Sequence, residues 1–274
     1  MDPGEALTTS VGATGELETL RLDEPAPGVA RVTLHRPDRL NAMSSVMFGE
    51  LAAVAERLGA DNDVRAVLLV GSGGGFCAGF DLDDAEEFPR LDTAALYALQ
   101  DRAVGALHAV YALPKPVIAA VHGPAAGGGF SLALAADVRL AGESARFQPV
   151  FVRIGLSGGD LGASWLLPRL VGTGLAAELL YSGRAVLAEE AARIGLANRV
   201  VADDALAGEA LELATSMARH TPLAVQLTKR SLRAAMDAPS LLSVLELESR
   251  AQVSLLREPA TTEAMDRFRS RRGS

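Results

Sequence analysis

Pro116-Val117-Ile118-Ala119-Ala120-Val121-His122-Gly123-Pro124-Ala125-Ala126-Gly127-Gly128-Gly129 is the stretch from which the fold can be read. Val117 to Val121 is apolar without alternation, as a strand buried on both faces of a parallel sheet should be. It runs into a glycine triplet, and an apolar helix starts near Gly128. Strand, glycine turn and helix form one unit. The same unit stands upstream: Arg65 to Val70 is a second, nearly continuous apolar run. It ends in Gly71-Ser72-Gly73-Gly74-Gly75, and a helix follows from about Thr93 to Leu113. Val138 to Ala141 reads as a further strand. Repetition of the unit up to about residue 160 predicts an α/β fold with parallel strands and right-handed crossovers.

Outward from this core, Leu17 to Leu22 and Val29 to His35 read as two strands around the turn Glu24-Pro25-Ala26-Pro27-Gly28. A helix from about Ser44 to Gly59 places Met47, Leu51, Val54 and Leu58 on one face, with Ser44 or Ser45 as its N-cap. Beyond about residue 160 the chain turns mostly helical, with helical periods through Leu206–Met217, Leu223–Met236 and Leu241–Leu256. The expected organisation is a flexible tail over 1–15, an α/β core over 16–205 and a helical region over 206–274. The apolar faces of that last region suggest subunit contacts.

Net charge is −8, which argues against a chain built to coat nucleic acid or anionic lipid. The dense basic cluster is Arg267, Arg269, Arg271 and Arg272, which on its own reads as a solvated helix end. With a single cysteine, Cys77, one chain can form neither a disulfide framework nor a thiolate metal site. No signal peptide and no run approaching the roughly 20 apolar residues of a bilayer span is visible, so a cytoplasmic chain is expected.

Ligands of open α/β sheets lie beyond the carboxyl ends of the strands, where both glycine turns fall. A dinucleotide fingerprint is broken by Phe76, and no phosphate-loop motif ending in Gly-Lys-Ser or Gly-Lys-Thr occurs. The remaining reading is an oxyanion hole, in which one backbone N–H from each turn converges on a carbonyl oxygen. Gly128, opening a helix, would add the positive end of the helix dipole. Packing alone could explain either turn singly, but both lie on consecutive strand ends.

The chain resembles the crotonase family, the enoyl-CoA hydratases and isomerases, from about residue 16 to 272. The residues carrying the resemblance include His35-Arg36-Pro37 with Leu40-Asn41-Ala42, Gly75-Phe76-Cys77-Ala78-Gly79-Phe80-Asp81-Leu82, the Pro116–Gly129 stretch, Leu132–Asp137, Tyr181-Ser182-Gly183-Arg184 and Ala188–Ala197. The resemblance implies a spiral of β-β-α units, assembled as trimers or dimers of trimers through the C-terminal helices and acting on coenzyme A thioesters. It implies no cofactor beyond that substrate and no metal. It assigns the oxyanion donors to the backbones of Phe80 and Gly128. Arg39, Leu40, Ala42, Ala78, Asp81 and Leu82 would line the coenzyme A pocket, with Phe268 and Arg271 reaching a neighbouring subunit's ligand.

The same resemblance puts the two glutamates of a hydratase at Ser131 and Phe151, so both carboxylates are replaced here. Serine is a poor acid or base near neutral pH, and phenylalanine is neither. Asp160, in Gly155-Leu156-Ser157-Gly158-Gly159-Asp160-Leu161-Gly162, stands where dienoyl-CoA isomerases carry a catalytic aspartate. It also suits the N-cap of the following helix. His122 reads as a structural histidine, His108 as part of helix packing, and Cys77 as a small buried residue. Asp81, Asp83, Asp84, Glu86 and Glu87 form an acidic run read as mostly solvated. The segment from Asp84 to Leu96 and the surroundings of Phe151 and Trp165 should shape the acyl pocket.

The expected activity is enoyl-CoA isomerisation or hydration by a single carboxylate. The alternatives are a thioester hydrolase built on Ser131 and His122, although no Gly-x-Ser-x-Gly elbow is present, and a non-catalytic acyl-CoA-binding protein.

Overall fold

The computed structural model describes residues 17–85 and 88–272. The expected 1–15 tail and Glu86 and Glu87 of the acidic run lie outside the described residues. The chain opens with the antiparallel hairpin β1 (Leu20–Ala26) and β2 (Val29–Leu34). Its reversal is Pro27-Gly28, tighter than the 24–28 turn expected, with Gly28 at φ 75° and Ala26 paired to Val29. Pro25 does not break the strand. It lies on the edge of the sheet where the register shifts between Asp23 and Ala26, a place where a missing N–H is tolerated.

Helix α1 (Ser45–Ala60) leads to β3 (Ala66–Gly71), α2 (Leu82–Ala85) and the long α3 (Thr93–Ala112). Ser44 caps α1 by accepting the Met47 N–H, and Asp92 caps α3 through the Ala95 N–H. Then come β4 (Val117–Val121), β5 (Pro124–Ala126), α4 (Gly128–Ala135), β6 (Val138–Gly142) and β7 (Arg146–Gln148). Helices α5 (Ala163–Val171) and α6 (Thr173–Ser182) precede β8 (Val186–Leu187), α7 (Ala188–Arg193) and β9 (Arg199–Val201). The chain finishes in α8 (Leu206–Ala218), α9 (Pro222–Ala235), α10 (Leu241–Leu255) and α11 (Pro259–Arg272).

The larger sheet has the order β1-β2-β3-β4-β6-β9, parallel from β2 onward, and a second sheet has the order β5-β7-β8. The unbroken apolar character of β4 follows from its two covered faces. Val117, Ala119 and Val121 point into the core shared with Leu51, Leu58, Leu107 and Val110 of α1 and α3. Ile118 and Ala120, pointing the other way, meet Leu206, Ala210, Ala214 and Ala218 of α8. The alanines recur every four residues along α8, so that helix presents a smooth stripe to the sheet.

A charged tie holds α9 to this core. Lys229, nearly buried, donates from Nζ to the Asp137 carboxylate at 2.5 Å and to the Lys115 carbonyl at 2.6 Å. Arg233 adds a 3.0 Å pair to the other Asp137 oxygen, and the Val117 N–H donates to the carboxylate at 2.8 Å. Burial pulls the Lys229 ammonium down to about 8, against the opposing pull of the Asp137 charge. Asp137 thus serves two cations and the first residue of β4. Asp137→Ala strands a buried ammonium and should lower stability by about 3 kcal/mol, read as a drop in the urea midpoint. A loss under about 0.5 kcal/mol would contradict this account.

Candidate active site

The first turn is organised by a residue to which the sequence reading gave no role. Asn41 is fully buried. Its carboxamide oxygen accepts from the Arg36 N–H at 2.9 Å and the Ser72 hydroxyl at 3.2 Å, while its amide donates to the Ser72 and Gly75 carbonyls, each at 2.8 Å. One side chain therefore binds the 36–41 loop to the glycine run behind β3. Leu40 and Asn41 both adopt left-handed φ, 47° and 57°. With Leu161 at 46°, they are the non-glycine residues of positive φ among the described residues, and all three border the two turns. Strain of this kind costs about 1–3 kcal/mol per residue and gathers at functional sites.

From this knot the chain reaches Phe80. The Met43 N–H donates to the Gly79 carbonyl at 2.7 Å and the Asp81 N–H to the Met43 carbonyl at 3.1 Å, so the Phe80 N–H faces away from that ladder. The Phe80 ring lies between Phe48 and Phe88, at centroid distances of 5.6 and 5.1 Å. Asp81, also buried, pairs with the Arg36 guanidinium at 2.6 Å and accepts the Asp83 N–H. Burial alone would raise its pKa, but the Arg36 hydrogen bond, the Asp83 N–H and the Arg36 and Arg39 charges bring it below the usual carboxylate range.

The second turn packs directly on the first. Gly79 takes φ 97°, and a Cβ there would stand 2.6 Å from the Ala126 carbonyl and 3.3 Å from the Gly128 nitrogen. A Cβ on Gly129 would fall 2.2 Å from the Cys77 carbonyl. Gly127, at φ 48°, delivers the chain into α4. The backbone nitrogens of Phe80 and Gly128 therefore sit on touching turns, and among the described residues neither N–H meets an acceptor. Two such donors beside the positive end of α4 are suited to a developing oxyanion.

Asp160 stands against the same end of α4. The Ser131 hydroxyl, one helical turn beyond Gly128, donates to the Asp160 carbonyl at 3.2 Å. Leu161 comes within 3.4 Å of where a Gly128 Cβ would be. The expected capping role fails: the N-cap of α5 is Gly162, with no side-chain cap, because the left-handed Leu161 and Gly162 swing the chain between Asp160 and the helix. The Asp160 carboxylate instead accepts from Gln100 Nε2 of α3 at 2.6 Å. Phe151 is buried in the short 3-10 helix Val150–Ile154, its ring 3.8 Å from a Cβ position on Gly127. That wall is apolar.

Around the first turn the structure gathers Arg39, Leu40, Ala42, Ala78 and Asp81. Arg39 forms an exposed pair with Asp83 at 2.5 Å, and the Ala78 N–H donates to the Leu40 carbonyl. Leu82 begins α2 and Arg271 lies in α11 by their backbones. Phe268, 61% exposed, lines a cleft of about 480 Å³ whose walls come from the C-terminal helices, so a single chain does not bring it to the turns. Trp165 of α5 is half-covered, with the Arg169 guanidinium 3.2 Å over its ring.

His108 is exposed, not packed, because α3 turns Ala103, Ala106, Leu107 and Val110 to the core instead. His122 binds the Gly73 carbonyl through Nε2 at 2.9 Å, as a structural histidine does. The Ser131 hydroxyl donates to the Asp160 carbonyl and His122 Nε2 meets the Gly73 carbonyl, so the two are bound to different partners. Cys77 is buried, and burial pushes its thiol up to about 12, so it remains protonated. Among the described residues no cluster of His, Cys, Asp or Glu is able to hold a metal ion, and no helix is long and apolar enough to cross a membrane.

Touching glycine turns set at the N-terminus of a buried apolar helix define an α/β chain with two backbone N–H groups at one helix end. The model of the enoyl-CoA hydratase/isomerase family matches residues 24–274. A "probable enoyl-CoA hydratase echA12" of Mycobacterium leprae is 43% identical over 236 residues, covering 85% of this chain and 80% of the relative. A 1,2-epoxyphenylacetyl-CoA isomerase of Escherichia coli is 38% identical, covering 81% and 84%. The crystal structure of an enoyl-CoA hydratase from Bacillus anthracis superposes with a TM-score of 0.88 at 31% identity, covering 93% of this chain and 97% of that one. The chain belongs to the enoyl-CoA hydratase/isomerase family, has its crotonase fold, and is an acyl-CoA-processing enzyme of that family.

Gly129→Ala should force the first turn away from α4 and lower kcat/KM by about 100-fold or more. Gly105→Ala on the open side of α3 has no neighbour within 4 Å and should leave activity unchanged while raising stability by about 0.5–1 kcal/mol. Steady-state kinetics and thermal melts of the two variants check the contrast.

Proposed function

We propose that this enzyme shifts the double bond of an enoyl-CoA, with Asp160 as the single proton carrier and the Phe80 and Gly128 N–H groups as the oxyanion hole. The observation carrying this reading is the Asp160 carboxylate, which is spent neither on a helix cap nor on an ion pair among the described residues, while the Asp160 carbonyl is held by Ser131 of α4. In the reaction, Asp160 removes a proton from the α-carbon of a 3-enoyl-CoA. The thioester oxygen takes up the negative charge, and the proton returns at the γ-carbon to give the 2-enoyl-CoA. One carboxylate is enough because the proton is both taken and given back. Hydration also needs a group to activate water, and Ser131 and Phe151 are poorly suited to it. Arg39, Leu40, Ala42, Ala78, Asp81 and Leu82 are the coenzyme A contacts in this reading.

Assembly as a trimer or dimer of trimers belongs to the same proposal. Leu241, Leu242, Leu256 and Phe268 are each more than half exposed on the C-terminal helices, an apolar surface suited to subunit contact. Phe268 and Arg271 would then reach a neighbour's coenzyme A. Within the 206–274 region, α8 already covers the sheet, so α9 to α11 supply the contacts. A cytoplasmic site of action accords with the single, buried thiol.

Incubation with crotonyl-CoA and with a 3-enoyl-CoA in heavy water separates hydration, double-bond shift and α-proton exchange. Asp160→Asn should lower the double-bond shift by about 10³-fold while acyl-CoA binding persists. Full turnover in that variant, or water addition as the main reaction of the parent enzyme, would overturn the proposal.

A further inference from the structure

We infer that Gln100 is a positioning residue for the proton carrier, holding one oxygen of the Asp160 carboxylate so that the other is presented to the substrate. The inference rests on the reading of Asp160 as that carrier. Gln100 Nε2 donates to Asp160 Oδ1 at 2.6 Å, sixty positions away in the chain. The helix carrying the donor is anchored, while the Gln100 side chain itself is exposed. Its neighbour Leu99, together with Ala103, Ala106, Leu107 and Val110, buries one face of α3, which fixes the helix from which Gln100 reaches out. The acceptor is held on its other side, where the Ser131 hydroxyl binds the Asp160 carbonyl. Asp160 is thus braced at its main chain from α4 and at its side chain from α3.

The chemistry of the donor matters as much as its position. An ionised carboxylate only accepts, so the amide nitrogen must face it. An arginine or lysine in this place would neutralise the carboxylate and weaken it as a base. Glutamine orients it without adding a charge. The nearby charged residues of α3 are Asp101 and Arg102, and the Arg102 Nε is directed to the Ala98 carbonyl. Once Asp160 has taken a proton, the amide can turn its oxygen to accept it, so the same partner serves both halves of the cycle. A carrier that must be base and then acid in one turnover needs a neutral, reversible partner of this kind.

The test compares Gln100→Leu, Gln100→Glu and Asp160→Asn in the double-bond shift of trans-3-hexenoyl-CoA. Gln100→Leu should lower kcat about tenfold with KM within about twofold, the loss expected for one hydrogen bond to a charged group. Gln100→Glu, which sets a second carboxylate against the first, should move the acid limb of the kcat–pH profile upward by about one unit or more. A residue of merely structural importance would lower thermal stability and leave the kcat of Gln100→Leu within twofold. If Asp160→Asn is inactive but Gln100→Leu keeps its kcat within twofold, or the limb of Gln100→Glu does not move, the positioning role is wrong and the carrier stands. If Asp160→Asn turns over normally, both are wrong.

Discussion

The carboxamide of Asn41 is the contact from which the site is built. It closes the left-handed loop 36–41 onto the glycine run behind β3, using both its oxygen and its amide. Through that closure the main chain at Met43 comes to lie beside Gly79 and Phe80, so the direction of the Phe80 N–H is set from the 36–41 loop. The second N–H is aimed by steric necessity, since Gly79 and Gly129 allow two main chains to meet where any side chain would collide. A polar knot and a missing Cβ together do what neither turn achieves alone. The cost is backbone strain at Leu40, Asn41 and Leu161, held in place by the surrounding packing.

The parts of this arrangement that were legible in the sequence are those carried by local chemistry. The apolar run of β4 could be read because both of its faces are covered, and the Ser44 cap because capping acts over three residues. The glycine triplet announced a close approach. The bonds across the fold left no local trace: Gln100 stands sixty positions from Asp160, and Lys229 ninety-two from Asp137. An exposed glutamine looks like any solvated helix residue until its partner is known. Pro25 misled for a physical reason, because a proline stops a central strand but not an edge strand at a bulge. Asp160 misled in its secondary role. Aspartate before a helix normally caps it, but two left-handed residues intervene.

The charges that tie α9 to the core are largely covered and multiply bonded at Asp137, where two cations and a strand N–H converge. On α11, Arg267 and Arg269 make only exposed pairs with Glu263 and Asp266, of the kind that contributes little to stability.

Cys77 gives the site an unplanned reporter. As the sole thiol of the chain, it is buried directly beneath the contact between the two turns, with its Sγ on the Asn41 carbonyl. An alkylating reagent has no route to it unless the turns part. The rate at which a thiol reagent labels the native protein is consequently a measure of how often this part of the fold opens. A ligand that favours the closed arrangement would slow that labelling.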